Sequence, residues 1–461
     1  MRLQSIKIKN YRSIEDLSFD IKALDDGSYT FGLIGVNEAG KSSLLKAIAL
    51  KDSIEPLTPL DFKNKSKSIE VIYEYKLEDS DEVDVFSDLI NTPESTLLTK
   101  HAFQNGDLIG FKLIWSLKQL SKPIYEFMYT NSKKLSESVI ATESLFEKMH
   151  NTIFWSAKEE YLISKAINLT TFADNPNISI PLKNCFDLAN VKDIKATIQS
   201  FAGDTAEKKL LEKKLSKAVT EHILKVWPGH PIKIVFDIDG QIITFQVEDI
   251  DGEKGKTVEQ RSDGFKQFIS FLLTISAEDS NEELENCLLL LDEPETHLHP
   301  QAQEYFLSEL KKITSSNKGN IVIFATHSNY MIDKEKLTRN FKVTKENEST
   351  KLEIIEGLTS SFASVNYEVF GVVTIDYHRE LYGDLYSKFL EEENEGVKIK
   401  QFDIDFFQKI HKQPKNKPWL EHKNEITLPT YIRNCISHVE NKNTYTREEL
   451  KESIDLMRSI K

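Results

Sequence analysis

The sequence predicts an α/β fold interrupted by a helical insertion and followed by a mostly helical C-terminal region. Three observations carry this. Residues 34–43 read IGVNEAGKSS, a glycine-rich loop set between the apolar run YTFGLI at 29–34 and the helically spaced SSLLKAIAL. Residues 287–291, CLLLL, form a short apolar run before two carboxylates, the pattern of a parallel strand buried on both faces. Residues 321–326, IVIFAT, form a second such run.

In chain order, residues 2–9 (RLQSIKIK) and 15–21 (EDLSFDI) alternate as strands do, and YTFGLI leads into the glycine loop. Strand patterns follow at 69–77 (IEVIYEYKL), 110–117 (GFKLIWSL) and 123–129 (PIYEFMY). The text then turns rich in Lys, Glu, Leu and Ala, as in EKKLLEKKLSKAVTEHILKVW, and its heptads are not sustained. A helical insertion is therefore expected over 131–230. Strands return at 232–238 (IKIVFDI) and 242–248 (IITFQVE), joined by Asp-Gly, a strong hairpin cue. RSDGFKQFISFLLTI, from residue 261, opens a helix. Beyond about residue 360 strand patterning fades into aromatic, helical text. The expected domains are 1–130 and 231–350 as two parts of one unit, the insertion 131–230 between them, and a helical region over 351–461.

A chain of 461 residues exceeds one compact core and predicts two to four structural units. No apolar run reaches the ~18–20 residues that span a bilayer. The first residues lack the apolar core of a signal peptide. A cytoplasmic location without membrane contact is expected. Cys185, Cys287 and Cys435 lie far apart with no C-x-x-C pair, which argues against zinc and a disulfide framework. Cys287, set against its apolar run, reads as buried filler. A net charge of −14 argues against a whole-surface nucleic-acid coat and leaves room for a local basic patch.

The spacing Gly35-x4-Gly40-Lys41-Ser42 lets successive backbone N–H groups converge on phosphate oxygens. Asn37, Gly40, Lys41, Ser42 and Ser43 make up the expected cradle for ATP. Lys41 reaches the β and γ phosphates and the Ser42 hydroxyl ligates Mg2+. Asp292, at the end of its buried strand, is placed to hold the magnesium through water, and Glu293 to orient or deprotonate the attacking water. His327, closing IVIFAT, is expected at the same sheet edge, within reach of the γ-phosphate. Ser262 and Gly264, in RSDGF at a helix start, make a second anion site. One such site is already used within the subunit, so the second is expected to serve a nucleotide held by another subunit.

This set resembles the ABC-class ATPases of the SMC/RecF/OLD branch, in the order phosphate loop, long insertion, Ser-Gly signature, D-E-P-E-x-H-L-H-P, then T-H-S. The chain carries that motif with Glu295, His297, Leu298, His299 and Pro300. IKIKNYRSIEDLSFDI is similar to the family's N-terminal strands, where Arg12 would approach the nucleotide. The resemblance covers residues 1–80 and 232–335. It implies an ABC-type P-loop ATPase head that hydrolyses ATP to ADP and phosphate. It further implies a head-to-head dimer with each ATP between Lys41 of one subunit and Ser262 of the other. In that scheme His327 is the switch histidine and residues 296–300 are the D-loop. The chain departs from the pattern twice: S-D-G stands where transporters have S-G-G, and no Q-loop glutamine follows the 69–77 strand. Asp61 is the candidate for the ligand left unassigned.

The C-terminal region offers three further patterns. Asp403-Ile404-Asp405 has the D-x-D spacing of a TOPRIM nuclease, without the strand-borne Glu that would precede it. Arg433 and His438, in YIRNCISH, resemble the R-x4–6-H of HEPN ribonucleases, where Arg stabilises a phosphorane and His shuttles protons. Y-H-x-E-L-Y at 377–382 and Y-I-R-N at 431–434 resemble ATPase subunits of bacterial anti-phage systems, the AriA type of PARIS first and the PtuA type of Septu as a near rival. That resemblance implies a sensor and scaffold that holds a TOPRIM-type nuclease effector supplied in trans and releases it on meeting a phage trigger protein. It also implies a higher homo-oligomer of ATPase dimers. Two other readings stand beside it: a RecF-like DNA-repair ATPase binding DNA directly, and an ATP-gated HEPN-type ribonuclease.

Overall fold

The computed structural model describes residues 1–53, 56–76, 108–118, 121–131, 136–139, 149–156, 166–200, 205–226, 232–249, 256–257, 269–270, 273, 285–296, 298–315, 318–355, 361–393, 396–419, 424–438, 440 and 443–460. The chain divides into two compact units, Met1–Ile355 and Glu356–Lys461.

The first unit opens with β1 (Arg2–Tyr11), β2 (Ile14–Asp20), β3 (Thr30–Ile34), helix α1 (Lys41–Ile48) and β4 (Ile69–Lys76). Strands β5 (Leu108–Leu117), β6 (Ile124–Asn131), β7 (Ser136–Val139) and β8 (Asn151–Ser156) follow. A lobe comes next, with β9 (Ile167–Asn168), α2 (Leu169–Asp174), α3 (Ile180–Leu188), α4 (Ile194–Gln199), α5 (Thr205–Val226), β10 (Ile232–Asp239), β11 (Ile242–Asp249) and β12 (Lys256–Thr257). The unit closes with β13 (Cys287–Asp292), α6 (Pro300–Ser315), β14 (Ile321–Thr326), β15 (Asn340–Glu346) and β16 (Ser349–Ile354).

Two six-stranded sheets carry this unit, one antiparallel in the order β2-β1-β4-β5-β6-β7, the other mostly parallel in the order β16-β15-β3-β14-β13-β8. The parallel sheet is buried on both faces, which is why its strands read as unbroken apolar runs. Leu288, Leu290, Ile323 and Ala325 face a core shared with α1 and the antiparallel sheet, where Leu44, Ile48, Val71, Tyr73 and Leu113 are buried. Leu289, Leu291, Val322 and Phe324 face a second core with α6 and the lobe, where Phe306, Leu310, Phe186 and Val219 are buried. Pro300 starts α6 at the position where a missing N–H costs nothing. The insertion expected to be helical thus begins with strands. Of these, β8 pairs in parallel with β13 and extends the parallel sheet, because Ile153 and Trp155 bury into the second core.

Helix α5 seals the edge of β10. Glu212, Ser216 and Thr220, spaced four apart on one helix stripe, accept hydrogen bonds from the backbone N–H groups of Ile238, Phe236 and Ile234 at 2.8, 2.9 and 2.9 Å. Four helical residues rise about 6 Å and two strand residues about 6.6 Å, so the rungs match. The same phase turns Leu211, Leu215, Val219 and Ile223 into the core.

Arg339, fully buried, clamps the start of β3 to the segment before β15. It donates to Asp333 at 2.9 Å, Asp26 at 2.6 Å, the Ser28 hydroxyl at 2.8 Å and the Thr30 carbonyl at 2.9 Å. Lys311 of α6 also donates to Asp333 at 2.9 Å. Burial alone would raise Asp26, but the Ser28 bonds and the charges of Arg339 and Lys336 outweigh it and hold the carboxyl at about 2.

In the second unit, α7 (Phe362–Phe370), α8 (Ile375–Glu393), α9 (Ile399–Phe402) with its π-helical continuation Asp403–Ile410, α10 (Leu428–Ser437) and α11 (Arg447–Ile460) surround an aromatic core. Tyr382, Phe389, Phe402 and Phe407 are its centre, with ring centroids 5.2–5.8 Å apart. A short hairpin, β17 (Lys415–Trp419) with β18 (Asn424–Thr427), accompanies the helices of this mostly helical unit.

Removing Arg339 would take the buried guanidinium from both acids, leaving Asp333 to Lys311 and Asp26 to Lys336 at 3.7 Å. Arg339→Met is expected to lower stability by about 3–5 kcal/mol at neutral pH. A urea midpoint equal to that of the native chain would refute the clamp. Because Asp26 is held low, its contribution is present above the ordinary carboxylate range and lost as pH falls towards about 2.

Candidate functional site

The register of the parallel sheet brings the chemistry together. Asp292 pairs with Ala325 and with Ser156, and Thr326 pairs with Ile34. The loops leaving β3, β13 and β14 therefore emerge at one carboxyl edge, where open α/β sheets bind ligands. Those loops carry Gly35 to Gly40, Glu293 and His327.

The first loop wraps tightly before α1. Gly40 caps the helix at φ +107°, a left-handed conformation that favours glycine. A Cβ on Gly40 would collide with the Thr350 side chain, and one on Gly35 with the Val343 carbonyl. Thr350 is held by Ser13 at 2.7 Å and reaches the Ala39 carbonyl at 3.3 Å, so the β1–β2 turn and β16 brace the loop from behind. Ser13 stands in the quoted IKIKNYRSIEDLSFDI segment without a role and Thr350 outside any motif, so the sequence reading passed over both as supports. Val36, Asn37 and Glu38 are exposed at the mouth, and Ser43 is half-buried on the first turn of α1.

Lys41 is buried, and its ammonium donates to the carbonyls of Gly35 at 2.9 Å and Val36 at 3.0 Å. Burial lowers its pKa, while Glu293, Asp292 and Glu295 act against that. Ser42 donates to Asp292 Oδ1 at 2.8 Å. Burial raises Asp292, the Ser42 bond opposes it, and neighbouring Glu293 raises it further. A hydroxyl and a carboxylate in contact are hard oxygen donors suited to Mg2+.

Glu293 sits at φ +52°, an uncommon conformation for a residue with a side chain. Its N–H still donates to the Ala325 carbonyl at 3.0 Å, and the Thr296 N–H and hydroxyl return to its own carbonyl at 3.2 and 2.8 Å. The strand therefore turns sharply at Glu293 and presents the carboxylate to His327 Nδ1 at 3.2 Å. Behind the pair, the Thr326 hydroxyl donates to Glu295 Oε1. Glu295 is buried, which pushes its carboxyl up to about 6. Its second oxygen is buried with no side-chain partner among the described residues. The sequence marked Glu295 as a motif position and gave it no role.

Arg12, at φ +48°, donates to Asp61 Oδ1 at 2.8 Å and lies one residue from the Ser13 brace. The other oxygen of Asp61 accepts from the Thr58 N–H at 2.7 Å and its hydroxyl at 3.0 Å. Burial would raise Asp61, but the Thr58 and Arg12 bonds hold it low. One of its oxygens caps a turn and the other pairs with Arg12, so neither is left facing the metal role considered for it. Ser262, Gly264 and His297 lie outside the described residues.

In the second unit, Arg433 donates to Asn434 at 3.0 Å, and His438, ending α10, lies 3.8 Å from Glu440. Five residues turn a helix by about 500°, which is not the i,i+4 spacing that puts two side chains on one helix face, and His438 caps α10 with non-helical backbone. Asp403 accepts from Thr427 and from Gln408 at 2.6 Å, and Asp405 from Lys409 at 2.8 Å and Gln401 at 2.6 Å. These bonds tie the D-x-D acids into local structure.

Glu295 gives a pH signature. Folding raises its pKa from 4.5 to about 6, so the folded chain binds the proton more tightly. Stability from this group is present below 4.5 and lost as pH rises through about 6. Without nucleotide, Glu295→Gln is expected to flatten the fall in unfolding midpoint across that window. Equal slopes in the two proteins would refute it.

The AAA ATPase domain family matches residues 1–227 and 188–332 of the chain. An uncharacterized protein of Methanocaldococcus jannaschii is 28% identical over 126 residues, 25% of this chain and 31% of that protein. The chain thus spans less than a third of the length of that relative. Among solved structures, the SMC head bound to the C-winged helix domain of ScpA superposes with a TM-score of 0.43 at 13% identity, covering 77% of this chain and 98% of that one. The SMC head domain from Thermotoga maritima gives 0.39 at 13% identity, covering 77% and 100%. A Pyrococcus furiosus SMC head with an extended coiled coil gives 0.40 at 13%, covering 76% and 96%. No helix among the described residues is long and apolar enough to cross a membrane. Lys41, Ser42, Asp292, Glu293 and His327 lie within the matched residues, the fold is α/β, and the chain belongs to the AAA ATPase domain family.

Proposed function

We propose that the chain binds ATP with Mg2+ and hydrolyses it slowly, and that the nucleotide state governs its association with itself and with a partner. The observation that carries this reading is the Glu293–His327 contact beside the Ser42–Asp292 bond, all at one sheet edge. Asn37, Gly40, Lys41, Ser42 and Ser43 would hold the phosphates, with Arg12 at the rim. Ser42 and Asp292 would hold Mg2+, which neutralises phosphate charge when bound. Lys41 offers its ammonium from a buried position, already directed into the loop by Gly35 and Val36. Glu293 accepts a proton from water at its carboxylate, and His327 fixes the orientation of that carboxylate. Ser262 and Gly264 would meet the nucleotide held by a second copy in a head-to-head dimer.

In this reading the switch serves anti-phage defence in the cytoplasm. The chain is the sensor and scaffold, holding a TOPRIM-type nuclease effector and releasing it to a phage trigger protein. Its support is the likeness of the 377–382 and 431–434 segments to such ATPases and the presence of a separate helical unit for docking. ATP-dependent closure can shift partner affinity only by its differential binding to the two states.

Lys41→Ala is expected to abolish nucleotide binding, and unchanged ATP affinity would sink the loop assignment. Glu293→Gln is expected to keep binding and cut turnover by ~100-fold or more. Wild-type turnover in that variant would remove Glu293 as the base. The partner reading is tested by the native mass of the tagged chain co-expressed with its neighbouring gene, with and without ATP. A defined two-protein complex supports it. A lone dimer that binds DNA more tightly with ATP replaces it with the DNA-repair reading.

A further inference from the structure

We infer that Gln303 is a positioning residue that couples the loop following Glu293 to the histidine end of β14, so that it governs turnover and not nucleotide affinity. The inference rests on the hydrolysis reading above. Gln303 lies on the first turn of α6, and its Nε2 donates to the Leu298 carbonyl at 2.8 Å. The Ser328 hydroxyl donates to its Oε1. A backbone carbonyl can only accept, so the amide nitrogen must face Leu298 and the amide oxygen must face Ser328. Of the side chains that fit this space, only a primary amide supplies a donor and an acceptor in one plane.

The bridge continues around the histidine. The Ser328 N–H donates to the Thr326 hydroxyl at 2.9 Å, and that hydroxyl donates to buried Glu295. Both chain neighbours of His327 are therefore fixed. His327 itself is 44% exposed on its side chain and is held to Glu293 by one 3.2 Å contact. Its aim is set mainly by Thr326 and Ser328. The Leu298 carbonyl, just before α6, lies on the other side of the amide from Ser328. Displacing that carbonyl pulls on Gln303, then on Ser328, and so rotates His327 away from Glu293. The bonds of the Gln303 amide go to Leu298 and Ser328 and not to the phosphate loop, which is why affinity is expected to be spared.

The test uses the full chain with steady-state ATP hydrolysis and equilibrium binding of a fluorescent ATP analogue. Gln303→Leu removes both bonds at similar volume, and Gln303→Glu removes only the donor to Leu298. Both are expected to lower kcat about ten-fold or more, because small misplacements near the chemistry are expensive. KM and the analogue's Kd are expected to stay within about two-fold, the mark of an interaction made in the transition state only. Gln303→Leu combined with Ser328→Ala is expected to be no slower than Gln303→Leu alone, since both cut one link. An unchanged kcat in Gln303→Leu overturns the inference. So does a parallel loss of kcat, affinity and unfolding midpoint in both Gln303 variants, which marks a packing role. If Gln303→Leu does not fold, Ser328→Ala severs the link by one oxygen and is read the same way. Glu293→Gln in the same assay separates the two levels. If it is inactive while Gln303→Leu runs at full rate, the coupling fails and hydrolysis by Glu293 stands. If it turns over normally, the hydrolysis reading falls first.

Discussion

The site depends on the register of β3, β14, β13 and β8. Hydrophobicity cannot set that register alone, because both faces of the sheet are apolar and a one-residue slip would exchange one buried face for the other. Polar contacts at the strand ends do the pinning. At the entry edge, the Cys287 N–H donates to Asn320 Oδ1 at 3.0 Å, the Asn286 N–H to the Lys318 carbonyl at 2.7 Å, and buried His150 meets the Gly319 carbonyl at 3.0 Å. At the exit edge, Ser42–Asp292 and Thr326–Glu295 repeat the arrangement. Groups that read as chemistry thus also hold the strands in step. Burial drives His150 down to about 4, so it acts as a neutral ring in that role.

Much of the ATPase unit was legible because its strands announce themselves. CLLLL and IVIFAT have no polar face to hide, and the alternation in RLQSIKIK, continued to Tyr11, matches the burial of β1. The strand β8 was not legible, since NTIFWS is six residues set among Lys- and Glu-rich text and depends on tertiary burial of Ile153 and Trp155. Strands β15 and β16 were missed for a related reason. NFKVTKE and STKLEI carry exposed charges because β16 lies at the sheet edge, and the left-handed Asn347 and Glu348 form the turn between them. At the candidate site, adjacency in a motif pointed to Lys41, Ser42, Asp292, Glu293 and His327, which the fold brings to one sheet edge. Ser13 and Thr350 come from distant segments, and Gln303, though just past the motif, shows its partners only in the folded chain.

The second unit shows what its quoted motif is made of. Tyr377, His378, Leu381 and Tyr382 of Y-H-x-E-L-Y are all buried. His378 meets the Ser453 hydroxyl of α11 at 3.0 Å, and burial depresses its pKa to about 3. Tyr382 meets the Thr430 hydroxyl of α10 at 3.0 Å. The segment therefore records how α8 packs on α10 and α11. Its likeness to other proteins speaks first to the build of this helical unit, and a docking surface on it would be formed by other residues.

The seal between α5 and β10 has a consequence for growth of the sheet. A bare strand edge is a template on which another chain can add itself. On β10 the alternating donors of Ile234, Phe236 and Ile238 are already taken by three side chains. An incoming strand would have to peel α5 away, and with it Leu211, Leu215, Val219 and Ile223, before gaining its first bond. A chain with open strand edges must guard them against unplanned pairing. Here a helix closes one such edge using no more than a glutamate, a serine and a threonine at the right pitch.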